Sequence, residues 1–314
     1  MENNLHVSSS PHIRAETNTR DIMLDVIIAL VPASVMGVYF FGYRALLVIL
    51  VTVLAAVLAE YLAAIVLKRK QTIGDLSAVV TGLLLALNFP PSIPFWIAIV
   101  GAFIAIMLVK QLFGGIGQNF MNPALAARVI LLISWPVQMT RWVWPDGVSS
   151  ATPLVILKRG LMAQAPGYLD LFLGNVAGCI GETSAAALLI GGIYLVVKKV
   201  IGMETPLAFI GTVGLFTWIF AGGSLFTGDF LYHILAGGLI LGAFFMATDY
   251  STTPVTRRGK IIFGIGCGIL ASVIRLYTDY PEGVSFAIIL MNVATQLIDR
   301  FTVPRSFGGE KNAA

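Results

Sequence analysis

The chain has 314 residues, 57% hydrophobic and 11% charged, with a net charge of +4 and a mean hydropathy of +0.88. Soluble globular domains carry about 25% charged residues, so this composition excludes one, and so small a charge gives no footing for a nucleic-acid partner. The two cysteines, Cys179 and Cys267, are far apart with no CxxC or Cys/His cluster, and His6, His12 and His233 are scattered. No metal site is expected, neither protein-held iron–sulfur nor zinc.

Residues 1–20 are polar and include Glu2 and Glu16, unlike the basic start of a cleaved signal peptide. Ten apolar spans follow, at 21–41, 45–67, 76–89, 94–112, 121–135, 183–199, 206–225, 230–248, 260–278 and 283–300. A helix needs about 20 apolar residues to cross a hydrocarbon core of ~30 Å; the third and fifth spans are short. The pattern predicts an all-α polytopic protein of the lipid bilayer. With the N-terminus inside, fifteen of the twenty basic residues fall at inner ends or loops, Lys110 and Arg128 among them. Arg44, Arg141, Lys158, Arg159 and Arg275 fall at outer ones. This positive-inside bias predicts cytoplasmic termini, with 301–314 as an inner tail. It also puts the longest loop, 136–182, on the extracytoplasmic side.

Polar residues in spans are costly and mark functional candidates. Asp21 and Asp25 open the first span one helical turn apart, on one face. Asp21 also suits a helix N-terminus electrostatically. Glu60 lies eight residues before the Lys68–Lys70 cluster, deep enough for either ion handling or a structural hydrogen bond. The third span breaks at Asn88–Pro91. In "NPALAAR", Asn122 and Pro123 read as a helix start, and Arg128 either pairs an anion or snorkels to the inner surface. The eighth span breaks in "TDYSTTPVTRRGK", which contains Asp249 and Thr252 and doubles as an inner basic anchor.

The two broken spans correspond. "TGLLLALNFPPSIP" and "GGLILGAFFMATDYSTTP" are both glycine-started helices that end in a polar, proline-bearing segment. Spans four and nine each end in one basic residue, and "GIGQNF" and "PEGVSF" lead into spans five and ten. A five-plus-five inverted repeat is expected, 21–135 against 183–300, with sites at the repeat interface. Its breaks would face opposite sides of the membrane.

The outer loop carries "WPDGVSSATPL" (144–154), the inner one "MATDYSTTPVTRRGK", and "PEGVSFAIILMN" opens the last span. With these three segments in order, nearly the whole chain resembles the membrane subunits that include the D subunit of the Rnf complex, an ion-pumping ferredoxin:NAD oxidoreductase. It is also similar to the B subunit of the sodium-translocating NADH:quinone oxidoreductase. The short segment before the first span favours the Rnf type, and two distant cysteines argue against the small cluster-sharing Rnf subunits.

The resemblance implies FMN joined by a phosphoester to the threonine of an S-x-A-T sequence, here Ser149-Ser150-Ala151-Thr152. Asp146 matches the upstream acid read by a separate flavin transferase. Proline after the acceptor predicts an extended, accessible Thr152. A second, non-covalent riboflavin is implied within the helices, with Asn88, Asn122, Arg128, Asp249 and Thr252 as pocket candidates. Glu60, Asp21 and Asp25 are candidates for a Na⁺ or H⁺ path in the prokaryotic inner membrane. Implied partners are an extracytoplasmic FMN subunit and two small membrane subunits. The implied fold is that of urea transporters, so a small-solute channel is the competing function, and a structural anchor for redox subunits a third. An S-x-A-T acceptor on the outer loop separates the first reading from both. The chain has no Gly-rich βαβ motif for NAD, so it does not complete a reaction alone.

Overall fold

The computed structural model describes residues 18–144, 151–161, 165–278, 280 and 282–304. Asp146, Ser149 and Ser150 lie outside these residues. Among the described residues every regular element is helical.

Four helices are long and apolar enough to cross a membrane: α1 (Thr19–Phe41), α2 (Tyr43–Val66), α13 (Arg257–Tyr277) and α14 (Val284–Thr302). The shorter apolar helices are α3 (Ser77–Leu87), α4 (Phe95–Phe103), α5 (Pro123–Ser134), α9 (Ala185–Val197) and α10 (Glu204–Phe220). Helix α4 continues as a π-helix over Ile104–Gln111. The outer-loop region carries three short helices, α6 (Pro136–Met139), α7 (Pro153–Lys158) and α8 (Tyr168–Leu173).

The segment expected as one span over 230–248 is divided. Helix α11 (Phe230–Leu235) stops at Ala236, and α12 (Leu239–Leu241) then runs into a π-helix, Gly242–Met246. Two causes are visible. Gly237 takes φ +71°, which glycine adopts without a Cβ penalty. The carbonyls of His233 and Ala236 accept hydrogen bonds from the Arg275 guanidinium, at 2.6 and 3.4 Å, instead of continuing a helix.

Helix α3 is the other half-length element. Its 11 residues rise about 16 Å, half a hydrocarbon core. The carbonyls it leaves open are satisfied by the extended chain before α9: Gly181 N–H donates to Leu87 O at 2.8 Å and Ile180 N–H to Phe89 O at 3.0 Å. The chain approaches so closely that a Cβ on Gly181 would lie 2.5 Å from that of Leu87. The two half-length elements meet where Asn88 Nδ2 reaches Met246 Sδ at 3.6 Å.

The long helices frame this centre. Helix α1 packs on α9, α2 on α3 and α4, α10 on α13, and α5 on α14. One core runs through the bundle, with Phe89, Leu125, Leu131, Phe209 and Phe263 fully enclosed. Outward, rows such as Leu50, Leu54, Leu58 and Ile65 on α2 are exposed, the surface a lipid-facing helix presents. The protein is a multi-pass membrane protein.

Candidate functional site

Among the described residues, three polar sites bring together the residues singled out from the sequence. The central one is built on Arg128, which α5 carries beyond its first turn. Asn122 caps that helix, accepting from the N–H groups of Ala124 and Leu125 at 3.1 and 3.3 Å, with Pro123 at its first position. The Arg128 side chain is 8% exposed and does not snorkel. Its Nη1 donates to Asn88 Oδ1 at 2.7 Å, Ser285 Oγ at 2.9 Å and Glu182 Oε1 at 3.3 Å. Its Nη2 donates to Glu282 Oε2 at 2.7 Å and contacts Cys179 Sγ at 3.5 Å. Arg128 is therefore not an inner-surface charge. It joins α5, the end of α3, the chain before α9 and the start of α14.

Cys179, Glu182 and Glu282 bring their ligand atoms within 4.8 Å of one another. A cation already sits among them, the Arg128 guanidinium. A second guanidinium, that of Arg275, lies near enough to act on both carboxylates, and Glu182 Oε2 has no hydrogen-bond partner. An unpaired buried carboxylate oxygen is costly.

Thr152 lies beside this centre and lines the same small cavity as Glu182 and Glu282. Its backbone is extended (φ −66°, ψ 157°), as the following proline requires, and it precedes α7. Its side chain is not accessible as expected. Thr152 is 2% exposed among Leu154, Leu171 and Val176, and its Oγ1 lacks a hydrogen-bond partner. The apolar undersides of α7 and α8 cover it, and α8 is pinned by Tyr168, whose hydroxyl donates to Asp229 Oδ2 at 2.5 Å. That bond, ahead of partial desolvation, raises the Tyr168 phenol above its ordinary pKa.

The second site surrounds Glu60, which is fully buried. Its Oε2 receives Lys110 Nζ at 2.8 Å; its Oε1 receives Thr72 Oγ1 at 2.5 Å and Gln111 Nε2 at 3.3 Å. Lys110 also donates to Ser77 Oγ at 2.6 Å, and the Arg69 guanidinium holds the Gln111 carbonyl at 2.7 Å. Lys110, expected as an inner-end cation, is 3% exposed. Both carboxylate oxygens of Glu60 are thus engaged by side-chain donors.

The third site is a pair of adjoining clefts. One, with a free volume of about 90 Å³, is lined by Val26, Asn119, Asn122, Leu195, Phe244, Phe245 and Asp249. The other, about 410 Å³, is lined by Gln118, Asn119, Phe120, Thr252, Asn292 and Gln296. They share Asn119 and Ser251. Asp249 accepts from Ser251 and Thr252 at 3.1 and 3.2 Å, and the Thr252 carbonyl accepts from Asn292 and Thr295 at 3.1 and 2.9 Å. Asn292 Oδ1 in turn receives the Asn122 N–H at 3.2 Å. The five expected pocket residues thus divide: Asn88 and Arg128 belong to the centre, Asn122, Asp249 and Thr252 to these clefts.

Asp21 and Asp25 separate as well. Asp21 accepts the Asn18 N–H at 3.0 Å, closing the helix start. Asp25 accepts from Tyr194 at 2.7 Å and lies 3.9 Å from Lys198, tying α1 to α9.

Sequence reasoning missed Glu182, Glu282, Ser285, Lys110, Gln111, Asn119, Asn292 and the buried state of Arg275. Glu182 and Glu282 had a signal: each sits beside glycine at the start of a span, where a carboxylate needs a partner in the protein.

A family model described as "NQR2, RnfD, RnfE family" matches residues 6–308. The chain is 51% identical over 316 residues to the D subunit of the Na(+)-translocating ferredoxin:NAD(+) oxidoreductase complex of Acetobacterium woodii, covering 99% of this chain and 97% of that one. It is 48% identical to the D subunit of the proton-translocating ferredoxin:NAD(+) oxidoreductase complex of Clostridium ljungdahlii, covering 96% of each. It is 40% identical to the D subunit of the ion-translocating oxidoreductase complex of Stutzerimonas stutzeri, covering 91% of each.

Proposed function

Because the chain belongs to the NQR2, RnfD, RnfE family, we propose that it is the D-type membrane subunit of an ion-translocating ferredoxin:NAD⁺ oxidoreductase complex, and that it carries flavin. The observation that carries this reading is the match over residues 6–308 with similarity to D subunits at nearly full length. The translocated ion stays open between Na⁺ and H⁺, since relatives at 51% and 48% identity are named for different ions.

Thr152 is the proposed attachment point of FMN, through a phosphoester to Oγ1. A buried hydroxyl with no partner fits an acceptor better than a structural cap, which would be hydrogen-bonded. Asp146, Ser149 and Ser150 are proposed to contact the bound flavin or to guide its attachment. A bound flavin supplies electron transfer in one- and two-electron steps; the chain positions it and tunes its surroundings. The cavity at Thr152, about 10 Å³, has room for neither a phosphate nor a flavin ring, so attachment would require α7 and α8 to shift.

The adjoining clefts are proposed to hold a second, non-covalent riboflavin. The side-chain amides of Asn119, Asn292 and Gln296 offer donors and acceptors for a pyrimidine-like ring edge, and Phe120, Phe244 and Phe245 offer apolar faces. The cation lining them, Lys110, is consumed by Glu60 and Ser77, which suits a flavin without a phosphate.

Ten spans with both termini inside remain the proposed topology. Asp25 with Lys198, Arg69 with Gln111 and Glu204 with Arg257 would then lie at inner ends; Arg44 with Pro91 and Lys158 with Thr278 at outer ends. The packing of α1 on α9 and of α5 on α14 supports an inverted repeat, since these pairs would be repeat equivalents. Extracytoplasmic FMN and small membrane subunits are the proposed partners, and a flavin transferase the maturation enzyme.

The test is flavin fluorescence of the denatured chain on a gel after coexpression with a flavin transferase. Wild type is expected to fluoresce and Thr152→Ala to be dark. A dark wild-type band overturns the flavin reading, and a fluorescent Thr152→Ala band moves the attachment elsewhere.

A further inference from the structure

A cleft of about 250 Å³ opens between α7, α11 and the C-terminal ends of α10 and α13. It is distinct from the cavity at Thr152, with which it shares Leu154. Its charged and ionisable side chains are mainly nitrogen-bearing: Lys158, His233 and Arg275, with no carboxylate among the lining residues.

These nitrogens are incompletely used. Arg275 is 3% exposed; its two Nη atoms hold the carbonyls of His233 and Ala236, and its Nε has no partner. His233 is 5% exposed, and its Nδ1 has no partner. Lys158 donates to the Thr278 carbonyl, a neutral acceptor. The carboxylates Glu182 and Glu282 are engaged by Arg128, and no described acidic group forms an ion pair with Arg275. Glu182 and Glu282 act on Arg275 only from beyond contact distance; a guanidinium so deeply buried with no anion in contact is costly, and its planar fork matches phosphate oxygens. Leu157, Phe220 and Leu276 give the cleft apolar walls.

We propose that this cleft binds a phosphate diester, with Arg275, His233 and Lys158 as donors and the apolar walls against the ester substituents. Two molecules at this surface present that chemistry: an anionic glycerophospholipid, and the phosphodiester linking a flavin to Thr152, two residues from Leu154. The second source rests on the flavin reading above; the first does not.

Native mass spectrometry of the full chain with added phosphatidylglycerol separates the outcomes. Flavin-free wild type is expected to retain one lipid, and Arg275→Gln or Lys158→Ser to weaken retention at least fivefold. Lys158→Ser keeps the test open where Arg275→Gln fails to fold. Equal retention by flavinylated wild type and Thr152→Ala assigns the cleft to lipid. Exclusion of lipid from the flavinylated form alone, with binding by Thr152→Ala, assigns it to the flavin link. A wild type that takes no flavin from the transferase yet retains lipid sinks the flavin reading and leaves the lipid site standing. Retention unchanged in both cleft variants, or no retained lipid in any form, overturns the proposal.

Discussion

Glu60 and Lys110 are fifty residues apart in the chain and 2.8 Å apart in the fold. Removing one member of a buried ion pair leaves the other charged and unpaired, at a cost of about 3–5 kcal/mol, whereas replacing both with matched apolar groups is often neutral. Glu60→Met is therefore expected to lower thermal stability strongly, and Glu60→Met with Lys110→Met to recover most of it, read by size-exclusion survival after heating. A residue needed as an ion ligand would leave the double variant folded but inactive in ion-dependent turnover. Arg128→Met is expected to be the more severe, since Glu182 and Glu282 lose their shared counter-ion together. The sequence makes Glu60 conspicuous because it lies deep in an apolar run. It hides Lys110, because a cation at the end of such a run is assigned to the membrane edge. The π-helix over Ile104–Gln111 resets the angular position of the last turns, which no 3.6-residue count anticipates. Glu282 is hidden for another reason: its partner Arg128 is 154 residues away, and only closure of the fold brings them together.

Among the elements, the long helices were legible from apolar length, and so was the break after α3, because Asn88–Pro91 cannot continue a helix. The break at 236–238 was not, since "LAGGLI" reads as an apolar helix with tolerated glycines. The reason is tertiary: Arg275, on another helix, takes the carbonyls that would have carried α11 onward. Gly237→Ala tests this. An alanine at φ +71° costs roughly 1–2 kcal/mol, and its Cβ would press 2.9 Å from Leu154 Cδ1. A measurable fall in melting temperature is expected, larger than for Gly211→Ala, where a Cβ meets nothing within 4 Å.

For the molecule as a whole, sidedness is the property that composition suggests and packing cannot set, because a helical bundle is the same object in either orientation. Both native cysteines are fully buried, so single cysteines can be introduced against a quiet background. Ser224→Cys, exposed in the turn between α10 and α11, is expected to react with a membrane-impermeant maleimide in intact cells. Lys70→Cys, exposed at the opposite end by the present topology, is expected to react only after lysis. The reverse pattern would invert the orientation and place Thr152 in the cytoplasm.

If Thr152 is the flavin acceptor proposed above, its enclosure sets an order of events in biosynthesis. A transferase cannot reach a hydroxyl that is 2% exposed beneath α7 and α8. Modification would then compete with closure of that cover, so the folded chain is expected to be a poor substrate and the nascent or partner-free chain a good one. Transferase added to membranes that already contain the folded, flavin-free chain is expected to label it far more slowly than transferase present during synthesis. Tyr168→Phe, which releases the α8 pin on Asp229, is expected to narrow that gap. Maturation would be a race between an enzyme and a fold, decided by how long two short helices take to settle.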